Sequence, residues 1–172
     1  MNRLVDNPVQ PARSMSRLRE FCEPAVRRAL HIYWRFRRGM TLGVRALVLD
    51  DQNRVFLVKH SYVRGWHLPG GGVEVGETML DSLARELMEE GNIEIRATPV
   101  LHAAYFNAQV SDRDHVTLYV VRDFHQEAPH NPTVEIIATG FFAIDALPPD
   151  TTRATRVRIA EYFFGAPMSE RW

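Results

Sequence analysis

The stretch PGGGVEVGETMLDSLARELMEEGNI, residues 69–93, changes character at Thr78. Before it stands the turn Pro69-Gly70-Gly71-Gly72, whose glycines have no side chain to obstruct a close approach of backbone. After it, leucines recur at helical spacing and predict a helix over Thr78–Glu90. Thr78-Met79-Leu80-Asp81 reads as a capping box that fixes where the helix starts. On a wheel of about 100° per residue, Leu80, Leu83, Ala84, Leu87 and Met88 form one stripe, the expected buried face. Glu86, Glu89 and Glu90 fall together on a sector facing away from it.

Like charges at that spacing cost an isolated helix about 0.2–0.5 kcal/mol per pair, and glutamates near a helix C-terminus also oppose its dipole. Positive charge is therefore expected beside them, and Arg85 can tie down one carboxylate. Loop and carboxylates form one site in this reading. The loop amides can face a phosphate, and a carbonyl, assigned to Gly70, can be held near a metal. Oxygen-only ligands select hard cations, and Mg²⁺ in particular is held by a few carboxylates together with substrate phosphates.

The segment Gly71 to Ile93 resembles the Nudix box, G-x5-E-x7-R-E-U-x-E-E-x-G-U with U a bulky aliphatic. Gly71, Glu77, Arg85, Glu86, Leu87, Glu89, Glu90 and Ile93 fall on its fixed positions, and Trp66-His67-Leu68-Pro69-Gly70 is similar to the family's usual lead-in. Asn92 stands where the family has glycine. Both residue types tolerate left-handed backbone, so a slightly altered helix cap and an intact metal face are expected.

The resemblance implies an α/β fold, the family's α/β/α sandwich with a mixed β-sheet. It also implies hydrolysis of a nucleoside diphosphate linked to another moiety, with water attacking a phosphorus of the bridge. By motif position, Glu86, Glu89 and Glu90 would ligate Mg²⁺ or Mn²⁺, Glu77 would support the metal shell and Arg85 would orient the carboxylates. Glu86 or an acid outside the box must take the water's proton. Glu135 is the outside candidate, because it precedes a strand ending in Phe141-Phe142 much as family members place an acidic residue there.

Outward from the box, Thr41–Asp50 and Arg54–His60 are short apolar runs around Asp51-Gln52-Asn53 and read as a β-hairpin. Val100–Ala108, His115–Phe124 and Thr139–Ile144 read as further strands, and Thr152–Phe164 as a last helix. Upstream, Pro24 to Arg38 carries Val26, Leu30, Tyr33 and Phe36 at helical spacing among arginines, a basic amphipathic helix. Such a stripe packs on the domain or on a second subunit, which would make a homodimer, and a membrane surface or nucleic acid is its other use. The expected organisation is a flexible tail over residues 1–16, a helical extension over 17–38 and a Nudix-type domain over 39–172.

Composition narrows the class. The 172 residues carry 21 basic and 21 acidic side chains at 45% apolar content, an ordinary globular chain and no polyelectrolyte. Residues 1–16 have no apolar signal core and the near-apolar run Ile136–Ile144 is too short to span a bilayer. With Cys22 as the one cysteine and no transmembrane segment, a cytoplasmic location is expected.

Substrate contacts are expected from the loop backbone at Gly70 and Gly71, from Arg64 and Trp66 in the lead-in, and from Tyr105 beside Phe106 and Asn107 as a base pocket. Lys59, His60 and His67 lie close enough in sequence to meet a phosphate or a base. The substrate expected is a small nucleotide diphosphate, with no stable nucleic-acid complex. Two other readings stand beside it: a sensing module that binds a nucleotide or ADP-ribose without turnover, and a hydrolase of RNA 5′ ends.

Overall fold

Strand β1 (Thr41–Val48) alternates, and each of its two faces has its own core. In the computed structural model, which describes Tyr33 and residues 39–172, Val44, Ala46 and Val48 point into one apolar cluster while Leu47 and the following Leu49 point into a second. The period-2 geometry of a strand buried on both sides produces this division. The same alternation recurs in β2 (Val55–His60) and in β6 (Asp114–Val121). The amphipathic helix anticipated upstream lies outside the described residues.

Helix α1 (Met79–Gly91) closes the first cluster with Leu83 and Leu87, and α2 (Arg153–Phe164) closes the second with Ile159. Fully burying each leucine contributes about 1.5–3 kcal/mol. Layers of helix, sheet and helix result, as expected of an α/β/α sandwich.

The mixed sheet has the order β1-β6-β5, with β1 parallel to β6 and β5 (Val100–Phe106) antiparallel to it. A second, antiparallel sheet runs β3-β2-β8, where β3 is Trp66–His67 and β8 is Ile136–Phe142. The short strands β4 (Ile93–Ile95) and β7 (Phe124–Gln126) pair with each other.

Two expectations about strands need correction. The runs on either side of Asp51-Gln52-Asn53 do form strands, but not a laddered hairpin. They share one bridge, Leu49 with Val55, before β1 joins β6 and β2 joins β8. The Asp50 carboxylate closes this corner by accepting from the Gln52 and Arg54 amides, and Asn53 takes φ 56°. The run His115–Phe124 is likewise two strands, broken after Val121.

The glycine-rich loop lies along β1. Val44 N–H donates to the Gly71 carbonyl and Ala46 N–H to that of Pro69, each at 2.9 Å, and Val73 N–H donates to Leu42 at 2.8 Å. A side chain on Gly70 would put its Cβ 2.2 Å from the Val44 carbonyl oxygen, and Gly70 adopts φ +132°, so this position accepts only glycine. Backbone bonds to β1 thus hold the loop at a fixed height beside α1.

Candidate active site

Helix α1 begins as its sequence predicts. Thr78 accepts from the Asp81 amide at 3.1 Å, and the Asp81 carboxylate accepts from the Thr78 amide in return. The helix ends on Asn92, whose φ of 52° and ψ of 36° are left-handed and whose N–H donates to Leu87 and Met88 carbonyls. Asparagine therefore serves the cap where glycine was expected.

The buried face of α1 is rotated from the expected stripe. Leu83 and Leu87 are buried, but Leu80 and Met88 are 38% and 46% exposed, and Ser82, Glu90 and Gly91 are buried instead. The glycine loop causes the rotation by covering the helix side that carries Ser82, Glu86 and Glu90. Ser82 Oγ donates to the Gly72 carbonyl at 3.0 Å, and Gly70 N–H donates to Glu90 Oε2 at 2.8 Å. The three glutamates are neighbours, yet they meet different surroundings: Glu89 is exposed, Glu86 half-buried and Glu90 buried.

Arg85 supplies the positive charge that the carboxylates require. Its Nε and Nη2 donate to Glu77 Oε1 and Oε2 at 2.9 and 3.2 Å, a bidentate pair. Nη1 reaches Glu86 Oε1 at 2.8 Å and Glu89 Oε2 at 3.4 Å, and Nη2 also reaches the Gly72 carbonyl at 3.2 Å. Hydrogen bonds from Arg85 hold the Glu77 carboxyl below its ordinary range, with the Glu74 amide adding to the effect. The Glu86 carboxylate rests on Gly71: a Cβ there would lie 2.3 Å from Oε1.

Glu90 sits deeper. Its Oε1 is 3.4 Å from His60 Nε2. Burial pushes the Glu90 carboxyl up to about 7, against the pull of the Gly70 amide. Burial pushes His60 down to about 4, assisted by the Arg45 charge. His60 is therefore neutral near pH 7, and the contact is no ion pair. Arg45, from β1, donates through Nη1 to the Leu68 carbonyl at 3.1 Å and to the Gly70 carbonyl.

Among the described residues, no three acidic, histidine or cysteine side chains converge in metal-holding geometry. The donor set nonetheless fits a hard divalent cation by its chemistry. It is all carboxylate oxygen, it lies on two adjacent turns, and one member is buried with its charge incompletely compensated. The carbonyl expected to face a metal, that of Gly70, accepts from Arg45, because β1 brings that guanidinium alongside the loop.

Of the residues expected outside the box, Glu135 immediately precedes β8, and its charge reaches Tyr62 together with those of Glu90 and Glu86. Its backbone carbonyl accepts from Ser61, and its side chain is exposed. Arg64 is exposed, and its carbonyl accepts from the His67 ring at 3.0 Å. Trp66 packs edge-on against Phe142, with Lys59 Nζ 5.9 Å from its ring centre, and Lys59 itself bonds Asp150 at 2.8 Å.

Tyr105 is a correction. It is 1% exposed in the second core, its hydroxyl donates to Glu161 at 2.9 Å and Arg158 stacks over its ring, so it cannot line a base pocket. The alternation of β5 turned it inward. Arg45 was missed from sequence, although a lone charged residue within the apolar run TLGVRALVL was the available signal.

Comparison with known proteins finds relatives of this chain in sequence and in fold. A family model described as NUDIX domain matches residues 39–163. An RNA pyrophosphohydrolase of Ruthia magnifica subsp. Calyptogena magnifica is 40% identical over 52 residues, 30% of this chain and 29% of that protein. The match to this curated relative thus spans less than a third of its length. A crystal structure of a MutT NUDIX hydrolase from Burkholderia pseudomallei superposes with TM-score 0.62 and 26% identity, covering 71% of this chain and 97% of the other. An ADP-ribose pyrophosphatase from Streptococcus suis 89-1591 superposes with TM-score 0.54 and 25% identity, covering 77% and 95%.

Proposed function

Since the chain belongs to the Nudix family, we propose that it is a divalent-cation-dependent pyrophosphohydrolase whose catalytic unit spans residues 39–172. The observation that carries this reading is the Arg85 hub, which holds Glu77 and Glu86 beside the glycine loop with Glu89 and Glu90 on the same helix. Its substrate is a nucleoside diphosphate joined to a further group: a sugar, ribose, a second nucleotide or another phosphate.

Glu86, Glu89 and Glu90 would hold Mg²⁺ or Mn²⁺. When bound, the cation supplies charge against the diphosphate and favours ionisation of the attacking water. The chain's own groups do the rest. Arg85 keeps Glu86 and Glu77 in place, and the Gly70 amide holds Glu90 under the loop. Water's oxygen bonds to phosphorus as the bridging P–O bond breaks, and the proton passes to the carboxylate of Glu86 or Glu135.

The relatives are named for different substrates, and recognition on a shared scaffold resides in the residues around the site. Hydrolysis at RNA 5′ ends is the second reading, favoured by the Ruthia relative and by the net positive charge of residues 1–38. The test is a panel of ADP-ribose, dinucleoside polyphosphates, nucleotide sugars, NADH, (d)NTPs and 5′-triphosphorylated RNA, assayed with and without Mg²⁺. Turnover that requires both the metal and Glu89 is the expected result. Saturable binding without turnover would replace the enzyme with a sensing module.

A further inference from the structure

Two guanidinium groups stand at this site, and only one is spent. Arg85 directs all three of its nitrogens at Glu77, Glu86, Glu89, Ser82 and the Gly72 carbonyl. Arg45 uses only Nη1, on the carbonyls of Leu68 and Gly70. Its Nε and Nη2 have no acceptor among the described residues, and neither is among the fully enclosed side-chain atoms that lack a partner. Lys59, Arg54 and Arg96 are each paired with an acid, at 2.8, 2.7 and 2.8 Å.

Position makes the unspent donors useful. Arg45 lies mid-strand in β1 between buried Val44 and Ala46, so its backbone is fixed, and Nη1 fixes the plane of the fork. Gly70 links it to the carboxylates, since the carbonyl of that residue accepts from Arg45 and its amide donates to Glu90 Oε2 at 2.8 Å, and the charge of Arg45 reaches Glu90, His60 and His67. It therefore stands beside the loop that covers Glu90, where a polyanion approaching the carboxylates needs a cation of the protein's own. A planar fork with two adjacent donors matches two phosphate oxygens in a way an ammonium does not. Holding two carbonyls needs no such fork.

We propose that Arg45 binds the diphosphate of the substrate through Nε and Nη2 while its Nη1 holds the Leu68–Gly70 turn. The assignment rests on the pyrophosphohydrolase reading and names the residue that recognises the anion.

The test uses the full chain and inorganic pyrophosphate with Mg²⁺ as the probe, measured by calorimetry for wild type, Arg45→Lys and Arg45→Ala. Arg45→Lys keeps the charge and a donor for the turn but loses the fork. Its pyrophosphate affinity should fall by about tenfold, and that of Arg45→Ala further, while Mg²⁺ binding alone changes less than about twofold in Arg45→Lys. A second measurement needs no variant: pyrophosphate should protect Arg45 of the wild-type protein from phenylglyoxal, read by peptide mass.

Equal pyrophosphate affinity in wild type and Arg45→Lys, or unprotected Arg45, overturns the assignment. A wild-type protein that hydrolyses a panel compound yet shows either result keeps the proposed function and loses this inference. Arg45-dependent pyrophosphate binding in a protein that hydrolyses nothing has the opposite consequence.

Discussion

Gly71→Ala isolates the geometry of one carboxylate from the rest of the fold. The new Cβ would lie 2.3, 2.5 and 2.8 Å from Oε1, Cδ and Oε2 of Glu86. Gly71 is not in the left-handed region, so alanine strains no backbone there, and the obstruction is the free end of a flexible side chain. Ordinary contact begins near 3.4 Å, so the carboxylate must retreat by about 1 Å. A rotamer adjustment of that size costs about 0.5–1.5 kcal/mol, a fall in Tm of about 2–5 °C for a chain of this length. A misplacement of about 1 Å at a reacting centre costs on the order of 10²-fold in rate. Turnover should therefore collapse while folding survives. Gly72→Ala is the matched control, since nothing lies within 4 Å of its Cβ, and it should retain both rate and Tm. The assay is kcat on the substrate found in the panel, with Tm by calorimetry for each variant. Wild-type kcat in Gly71→Ala, or an equal loss in Gly72→Ala, would refute the reasoning.

Glu89 is exposed, and among the described residues its side chain pairs with Arg85 alone, at 3.4 Å. Glu89→Gln should leave stability within about 0.5 kcal/mol but lower metal-dependent turnover by about two orders of magnitude, and retained turnover in steady-state assays would remove Glu89 from the site. Thr78→Ala deletes the acceptor for the Asp81 amide and should cost about 1 kcal/mol, seen as a lower urea midpoint with kcat per folded molecule kept. Glu77 is depressed below 4.5 in the folded state, chiefly by Arg85. Its contribution to stability is thus complete above about pH 4.5 and is lost as pH falls through its folded value. Urea unfolding of wild type and Glu77→Gln should differ near pH 7 and converge in acid, whereas a gap independent of pH contradicts the assignment.

The fold was legible where one local rule decided it. Capping chemistry at Thr78 and the left-handed end at Asn92 mark α1 to within a residue, and the helix expected over Thr152–Phe164 runs Arg153–Phe164 between caps at Thr152 and Gly165. Strand partners were less accessible. Leu49 and Val55 look like the root of a hairpin, because sequence records a tight corner at Asp50 but not that the two strands leave it in different sheets. That divergence is set by β6 and β8, which lie far along the chain and compete for the same backbone groups.

The site divides in the same way. Charged side chains at helical spacing made Arg85 and the glutamates readable, since neighbours on one helix turn are neighbours in sequence. Glu90 looked like its companions and is not, because the loop that buries it is held by hydrogen bonds to β1 rather than by anything in the helix. Tyr105 and Arg45 show both directions of the error. An aromatic residue on a half-polar strand can face either side, and only the register of β5 against β6, which pairs Tyr105 with Val116, turned it into the core. A lone arginine in an apolar strand invites reading as a rim residue. Its value depends on what the opposite edge of that strand carries, and for β1 that edge is the glycine loop whose carbonyls Arg45 binds. An unpaired arginine inside an apolar run beside a glycine-rich loop is therefore the sequence signal to weigh first in such chains, because a half-buried guanidinium with donors to spare has lost part of its hydration and is best completed by an anion.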